Sequence, residues 1–573
     1  MEAWKADFYW VQLRAVLWLL LAVFAGSTIG FKIGLPGSDS SPVAAPSGVA
    51  QTDDPALAFA PPSGRRVIPK GLTSSRPTAT PGLHALSDGE AEALAAQATA
   101  SANGAPAIAF NAPRALTFMA AGDGSPTTET TPTAPATDPT TTTPATPSGP
   151  PPEISSVRTL SLTPFSATIS WRTNVPTSSR LVYGLDAPVV WTAPTAVGTQ
   201  HEATLSGLSF SSSYVLYVTA TADDGQSAVA DYLLTTPAVT GPVHVSADDS
   251  VIEYDGQPSF PRIVWAQCPD AVAGNLAVGI DLFMGNGCGS GAQLASWLGT
   301  GALVLADARD DAADRAGSVG THLPDEWDTH LPDDLTAAQA EKLVPRTANS
   351  GPRFLTLTNH FYSRAEPLPQ GRGMYPALVA AADVVGFDLY PLQNWCRYDS
   401  FHDVFDSQLD LVALARGKPT FQWIEARQMD CFGAQLDPTP ETLRAEAWLS
   451  IAGGAHAIGY FPNNWSAAVG AEIARTNHEI QTLIPALVEP AIAASSSLGS
   501  FVKVGARDHN GAVYVIAVNA SRTPTTSTIT VPALGDRMLR SLDGQHNVLA
   551  AGGAFTDSFG PLEARIYIAA PTQ

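Results

Sequence analysis

The sequence predicts a multidomain protein in which a (β/α)₈ TIM barrel lies between two smaller β-sandwiches. Between residues 258 and 490, near-continuous apolar segments alternate with stretches of helical periodicity, as in a parallel sheet that is covered on both faces. Residues 154–237 and 498–571 instead carry short strands in which apolar and polar residues alternate, a pattern typical of antiparallel sandwiches. The 573 residues also exceed one ordinary domain.

The N-terminal region is not expected to fold into a compact domain. Arg14 precedes an apolar run at 15–25, which predicts a signal peptide or a signal anchor within residues 1–32. Residues 33–153 are rich in Ala, Pro, Ser, Thr and Gly, and such a composition buries too little apolar area to offset chain entropy. We therefore expect a disordered stalk and a secreted or cell-surface protein, attached to a membrane or cell wall through its N-terminus.

Residues 154–238 form the first predicted sandwich. The segment SATISWRTN places Ala167, Ile169 and Trp171 on one face of a strand. The stretch resembles a fibronectin type III domain: Trp171 matches the core Trp of the second strand, and Leu208 with Tyr214 looks like the tyrosine corner. A similar sandwich precedes the catalytic part of purple acid phosphatases, but the motif TNHE at 476–479 lacks the partner motifs of that family.

The barrel is predicted within residues 250–492, and a C-terminal sandwich within 496–573. Asn510 and Gly511 are suited to a hairpin turn in this last domain. The connection between the third and fourth barrel strands is short for a helical crossover, so we expect it to be irregular. The predicted barrel strands are 262–267, 278–285, 302–308, 319–326, 353–360, 384–391, 420–426 and 457–464.

Charge and cysteine content narrow the classes of partner. The formal charge is −22 and no basic stripe is present, which excludes a nucleic-acid-binding surface. Four cysteines in an exported chain predict two disulfides, and the strand positions favour Cys268–Cys288 and Cys396–Cys431. No CxxC pair or Cys/His cluster is present, so neither a metal nor another cofactor is expected.

The active site of such a barrel lies where the strands end at their carboxyl side. Carboxylates and amides at these ends suit sugar hydroxyls, and aromatic rings suit sugar faces, so a carbohydrate substrate is predicted. His322 and His330 are expected beside the cleft. The candidate substrate-binding residues are Trp265, Asp281, Asp325, Trp327, Asn359, His360, Asp388, Tyr390, Trp395, Asn463 and Trp465.

Two glutamates carry the predicted chemistry, because glycoside hydrolysis uses a pair of carboxyl groups. Glu326 in PDEWD follows strand four, and Glu425 in FQWIEAR ends strand seven. With these positions the chain resembles the clan of retaining glycosidases with (β/α)₈ barrels. The resemblance implies that Glu326 is the acid/base and Glu425 the nucleophile, that Tyr390 contacts the nucleophile, and that Trp465 is a sugar platform.

One departure from that clan keeps alternatives open. Asp325 stands where the clan usually has Asn before the acid/base residue. Asp388 could replace either glutamate as a catalytic carboxyl group. The leading hypothesis is an exported glycoside hydrolase that cleaves a poly- or oligosaccharide by a retaining two-Glu mechanism. The alternative is a non-catalytic cell-surface protein that binds carbohydrate, or serves in adhesion, through a degenerate barrel.

Overall fold

The computed structural model describes residues 149–572, except 249, 299–302, 347–350, 394, 430–435 and 463. The predicted export segment and nearly all of the predicted stalk lie outside these residues. Within the described part of the chain, no helix is both long and apolar enough to cross a membrane.

Six antiparallel strands form the first β unit. The long strand β2 pairs along its first half with β1 and β4, and along its second half with β3 and β5; β6 pairs with β5. Trp171 is buried and stacks on His201. The backbone N–H of Ser209 donates to the Tyr214 hydroxyl at 2.8 Å. The strands are β1 (Ile154–Leu162), β2 (Ala167–Gly184), β3 (Val190–Trp191), β4 (Gly198–Leu205), β5 (Ser213–Thr221) and β6 (Ser227–Thr235).

A three-stranded sheet that the sequence reading missed leads into the barrel. It consists of β7 (Val245–Asp248), β8 (Val251–Tyr254) and β9 (Gln257–Ser259). Ile252 and Tyr254 pack in one cluster with residues at the starts of barrel strands, such as Ile263 and Leu282. This sheet therefore covers the amino-terminal end of the barrel, opposite the end that holds the candidate site.

The predicted eight-stranded parallel barrel is confirmed. Strands β10 to β17 pair in chain order and close when β10 pairs with β17. Thr439 caps the helix after β16, and Pro440 is in its first turn, as the sequence predicts. The strands are β10 (Arg262–Gln267), β11 (Leu282–Asn286), β12 (Val304–Asp307), β13 (Gly320–His322), β14 (Arg353–Thr358), β15 (Val384–Asp388), β16 (Thr420–Glu425) and β17 (Ala457–Phe461).

Helices cover the barrel after every strand except the third. Turns replace a helix between β12 and β13, as predicted for that short connection. The helix after β10 was missed, although a Pro begins it. The helices are α1 (Pro269–Ala277), α2 (Gly291–Leu298), α3 (Ala337–Leu343), α4 (Tyr375–Ala381), α5 (Phe401–Ala415), α6 (Pro440–Ala452) and α7 (Ala467–Leu487).

Two aromatic side chains of β16 fill the barrel interior. Phe421 and Trp423 belong to the interior cluster, and glycines on the flanking strands give them room. A Cβ on Gly386 would overlap the Phe421 ring, and one on Gly459 would overlap the Trp423 ring. The interior is thus packed, and the Trp423 Nε1–H donates to Thr356 Oγ1 at 3.1 Å.

The C-terminal strands form two antiparallel sheets. One has the order β19-β20-β25-β22-β23 and the other β18-β21-β24. Asn510 and Gly511 have φ of 54° and 83°, which confirms the predicted hairpin turn between β19 and β20. The strands are β18 (Ser495–Ser496), β19 (Val502–His509), β20 (Ala512–Asn519), β21 (Thr525–Thr530), β22 (Met538–Ser541), β23 (Asn547–Leu549), β24 (Ala554–Phe559) and β25 (Ala564–Ala569).

Candidate active site

The loop after β13 carries the first two carboxyl groups of the site. Strand β13 ends at His322 rather than at the predicted residue 326, and Pro324, which lacks an N–H, cannot continue the ladder. Glu326 adopts a left-handed backbone conformation with φ 45° and ψ 42°, which is uncommon for a residue with a side chain. Its carbonyl accepts from the N–H and hydroxyl of Thr329 at 3.0 and 2.7 Å.

A buried carboxylate fixes this loop to the next strand. Asp328 is 0% exposed and lies in the 3₁₀ turn Trp327–His330. Its Oδ1 accepts from the Thr358 N–H at 3.1 Å, and its Oδ2 accepts from the Thr358 hydroxyl at 2.5 Å and the Tyr375 hydroxyl at 3.1 Å. No sequence pattern indicates this role, because Asp328 is one of several acids in an acidic stretch.

The end of β15 supplies a carboxyl group that meets Glu326. Asp388 and Glu326 are both half-buried, and their carboxyl groups are hydrogen-bonded to each other. Burial, and then the charge of Glu326 and this hydrogen bond, raise the pKa of Asp388 well above its ordinary value. A hydrogen bond between two carboxyl groups requires a proton, so one of the two groups is protonated in this arrangement.

Asp325 is a third acid at the same place. The residue is exposed. Partial desolvation, together with the charge of Glu326, raises the pKa of Asp325 to about 7.

Tyr390 lies among these acids. It is buried and stacks on Phe461, with ring centroids 6.3 Å apart. Burial raises its pKa well above the ordinary value, and the charges of Asp388, Asp325, Glu326 and Glu425 act in the same direction. Its hydroxyl therefore keeps its proton.

Glu425 ends β16. Its side chain is 0% exposed. Its Oε1 accepts from the Leu392 N–H at 2.9 Å, and its Oε2 accepts from the Gln393 N–H at 3.0 Å. Both carboxyl oxygens therefore already accept from main-chain N–H groups, and the role of Glu425 as the nucleophile stays a prediction.

Glu425 is also paired with a second buried acid, Glu446 of α6. The Glu425 N–H donates to Glu446 Oε2 at 3.2 Å, and the two carboxyl groups are also hydrogen-bonded. Burial, and then the charge of Glu425, raise the pKa of Glu446 well above its ordinary value. The sequence did contain a signal for Glu446, because it lies between alanines in an almost wholly buried helix.

An aromatic side chain lies near the carboxyl end of the first barrel strand. Trp265 on β10 packs edge-on against His322 at 5.1 Å and Trp423 at 5.9 Å, measured between ring centroids. His322 is buried, and this burial lowers its pKa, although the charge of Asp307 opposes the change. Trp265 is half-buried, as expected of a residue that contacts a ligand, whereas Trp423 belongs to the core.

Two other predicted contact residues are placed elsewhere. Asp281 precedes β11 instead of ending it, so it lies at the amino-terminal end of the barrel. There it pairs with Arg262: Nη2–Oδ2 is 2.8 Å, and the Arg262 N–H donates to Oδ1 at 2.8 Å. Trp327 is 6% exposed and packs in the cluster between strands and helices. Neither residue lines the mouth.

The remaining predicted contacts are on loops at the carboxyl ends of the strands. Asn359 is buried, while His360 is half-buried and contacts the Glu366 carbonyl. Trp395 stacks on Tyr362 at 6.4 Å. Trp465 packs on Gly470 at the start of α7. Asn463 lies outside the described residues.

Polar residues at other strand ends have protein partners. Arg309 binds Asp307 through Nε–Oδ1 at 2.9 Å and Nη2–Oδ2 at 2.5 Å. Gln267 is buried and accepts from Asn275 of α1 at 2.5 Å. These contacts hold strands and loops together.

The disulfide prediction is confirmed in one of its two parts. Cys268 and Cys288 are bonded, which joins the loops that follow β10 and β11. Cys396 is also disulfide-bonded, but Cys431 lies outside the described residues. The Cys396–Cys431 pair therefore stays a prediction.

A cluster of possible metal ligands occurs at the start of α5. His402, Asp403 and Asp406 have ligand atoms within 4.8 Å of one another. Arg364 lies 3.0 Å from Asp406, and Lys503 lies 2.7 Å from it. These cations already compensate the negative charge, so the cluster is an ion-pair network.

Comparisons with known proteins concern the fold. No family model and no curated protein match the chain. It is similar to the solved structure of a proposed alpha-galactosidase/melibiase from Bacteroides fragilis NCTC 9343, with 11% identity and a TM-score of 0.38 over 73% of this chain and 98% of that one. It is also similar to a cyclomaltodextrinase, with 8% identity and a TM-score of 0.36 over 72% of this chain and 98% of that one. A GH30 endoxylanase from Clostridium papyrosolvens C71 is similar with 12% identity and a TM-score of 0.29 over 57% of this chain and 100% of that one. Similarity at this level carries no argument about activity, which must come from the site.

Proposed function

We propose that the protein hydrolyses glycosidic bonds at the carboxyl end of the barrel, with Asp388 and Glu326 as the two catalytic carboxyl groups. The observation that supports this most directly is the hydrogen bond between their side chains at the mouth. Two acids that share a proton can present one neutral and one ionised carboxyl group at neutral pH, which is the combination that glycoside hydrolysis requires.

Each carboxyl group has a distinct role in the proposal. Asp388 is the proton donor to the glycosidic oxygen, because burial and the charge of Glu326 keep it protonated. Glu326 is the second carboxyl group of the pair, on a residue with a left-handed backbone conformation. Because the two groups are hydrogen-bonded to each other, the proposal requires a bound sugar to separate them to the spacing at which the carboxyl groups of a glycosidase act.

The surrounding residues suit a sugar. Trp265 offers part of an aromatic ring near the carboxyl end of β10, and Asp325 offers an exposed carboxyl group. We propose that Trp265 packs against a sugar ring and that Asp325 accepts from sugar hydroxyls. The substrate class is an oligosaccharide or polysaccharide.

The retaining route through Glu326 and Glu425 is not part of this proposal. Such a route needs two carboxyl groups about 5–5.5 Å apart on either side of the anomeric carbon. Both oxygens of Glu425 are occupied by main-chain N–H groups. The anomer of the first product, measured by NMR, assigns the stereochemical course.

The test compares three variants on a panel of glycans, with release of reducing ends as the readout. We expect Asp388→Asn and Glu326→Gln each to lower kcat by about 100-fold or more, since general acid–base catalysis contributes that much. The control is Asp334→Asn, which changes an exposed carboxyl group on the same loop and should leave the rate unchanged. Wild-type rates in both site variants would refute the proposal.

The same panel decides the alternative function. A protein that hydrolyses no glycan but binds one in calorimetry, with or without Asp388, would be a carbohydrate-binding protein with a degenerate barrel.

We also propose that the protein is exported and that its first β unit is a fibronectin type III-like domain. The apolar segment at 15–25 supports export, and so does the Cys268–Cys288 disulfide, which is stable in oxidising compartments. The buried Trp171 and the Ser209–Tyr214 hydrogen bond support the domain assignment. Fractionation of cells that express the full chain, with N-terminal sequencing, tests export or membrane anchoring.

A further inference from the structure

We infer that Glu425 is a positioning residue, whose carboxylate fixes the segment after β15 and thereby holds Asp388 against Glu326. This inference rests on the proposed function, because it assigns Glu425 a role in the same site. It replaces the role of nucleophile with one that acts through the main chain of a neighbouring loop.

The end of β16 contacts the loop that follows β15. Glu425 ends β16, and its two oxygens accept separately from two consecutive N–H groups, those of Leu392 and Gln393. Leu392 is 0% exposed and Gln393 is 4% exposed. Hydrogen bonds from backbone N–H groups to an ionised, buried acceptor are among the stronger ones in proteins.

The segment between Asp388 and the two bonded amides is short and largely buried. Only Leu389, Tyr390 and Pro391 separate Asp388 from Leu392, and the side chains of Leu389 and Tyr390 are buried. The Trp395 N–H donates to the Tyr390 carbonyl at 3.1 Å. The short separation and these contacts limit how far Asp388 can move relative to the bonded N–H groups of Leu392 and Gln393.

The side chain of Gln393 also binds the loop that follows β16. The Gln393 side chain accepts from the Met429 N–H and donates to the Leu436 carbonyl. Met429 packs against the interior cluster of the barrel. The segment is therefore held by the strand and by the loop that follows β16.

Hydrogen bonds surround the buried carboxyl group of Glu425. The groups that face Glu425 are the two amides of the loop, Glu446 from α6 and, at longer range, Tyr390. Burial raises the pKa of Glu425 to about 7, although the hydrogen bonds from Glu446 and the two amides act in the opposite direction. Since Glu446 is the more strongly raised of the two acids, it holds the proton and donates to Glu425. This arrangement satisfies the buried charge with hydrogen bonds, without an ion pair.

The test exploits the difference between a carboxylate and an amide. Glu425→Gln keeps the size of the side chain, but places an NH₂ group against one of the two amides, so that one hydrogen bond is lost. Glu446→Gln retains a donor toward Glu425. Asp281→Asn breaks the buried pair at the far end of the barrel and controls for a general loss of stability.

The first readout is amide hydrogen exchange of peptides that span residues 388–397, measured without substrate. We expect Glu425→Gln to raise exchange of this segment, while Glu446→Gln retains wild-type exchange there and Asp281→Asn raises exchange only around residues 262 and 281. If Glu425→Gln does not fold, Glu425→Asp, which shortens the reach by one methylene, should raise the same local exchange. Wild-type exchange of 388–397 in the folded Glu425 variant would overturn the inference.

The second readout is kinetics. We expect Glu425→Gln to lower kcat by about 100-fold with little change in KM, since a small displacement of a reacting group has that cost. The alkaline limb of its kcat/KM profile should move to lower pH, because Asp388 would lose its contact with Glu326. Loss of kcat with unchanged exchange and an unchanged pH profile would make Glu425 a catalytic residue and refute a positioning role. If the wild type hydrolyses no glycan, the proposed function fails, and the exchange data still decide whether Glu425 holds the loop.

Discussion

The substitution Asp328→Ala tests how the loop that carries Glu326 is held. The side chain is fully buried and accepts from three donors: the Thr358 N–H at 3.1 Å, the Thr358 hydroxyl at 2.5 Å and the Tyr375 hydroxyl at 3.1 Å. Alanine leaves all three without this acceptor. Glu326, two residues earlier, is in a left-handed conformation that costs about 1–3 kcal/mol and persists only where its surroundings enforce it.

The magnitude follows from these contacts. A buried donor without an acceptor costs about 1–3 kcal/mol. The two hydroxyls can rotate toward each other, since Thr358 and Tyr375 already interact, but the Thr358 N–H has no such freedom. We therefore expect Asp328→Ala to lower the free energy of unfolding by about 2–4 kcal/mol, and Asp328→Asn, which keeps one acceptor oxygen, by about half of that.

Urea denaturation of the full chain, followed by tryptophan fluorescence, measures the change. Asp334→Ala serves as the control, because Asp334 is an exposed acid of the same loop and surface substitutions usually change stability by less than about 0.5 kcal/mol. An Asp328→Ala midpoint equal to that of the control would refute the reasoning. If the proposed function is correct, the kcat of Asp328→Ala should fall by more than the loss of folded protein accounts for, because Glu326 loses its fixed position.

Three further predictions follow from other contacts. Replacing Cys268 and Cys288 by Ser should lower the free energy of unfolding by about 3 kcal/mol, seen as a lower melting temperature, because the bond closes a loop of sequence separation 20; an equal melting temperature of wild type and variant would contradict this. Gly459→Ala should destabilise the barrel by about 1–3 kcal/mol and change tryptophan fluorescence, because the added Cβ overlaps Trp423; an unchanged spectrum and midpoint would argue against it. Activity should persist at neutral pH and be lost as the pH rises through the raised pKa of Asp388, whereas the contribution of this group to stability is full below its ordinary pKa and falls as the pH rises; a rate–pH profile without an alkaline limb would contradict this assignment.

The apolar segments of the sequence were sufficient to predict the barrel. Strands buried on both faces must be apolar along their length, so the pattern appears in the chain itself. The Cys268–Cys288 pair followed from the order of the strands, since neighbouring strands bring their following loops together. The hairpin at Asn510 and Gly511 followed from local backbone preference.

Tertiary structure decided where each acidic side chain lies and which groups contact it. Asp281 lies at the amino-terminal end of the barrel because its strand begins at Leu282 and not at the predicted residue 278, and periodicity does not fix the boundary of an element to within a few residues. Glu425 has the sequence context of an active-site carboxylate, but Leu392, Gln393 and Glu446 enclose it. These partners are distant in the chain, and only folding brings them within hydrogen-bond distance. The sequence by itself determined which strands form the barrel and which acids follow them, because burial and local preference are written along the chain. The three-dimensional contacts decided which of those acids face the mouth, because the state of a carboxyl group depends on the donors and charges that surround it.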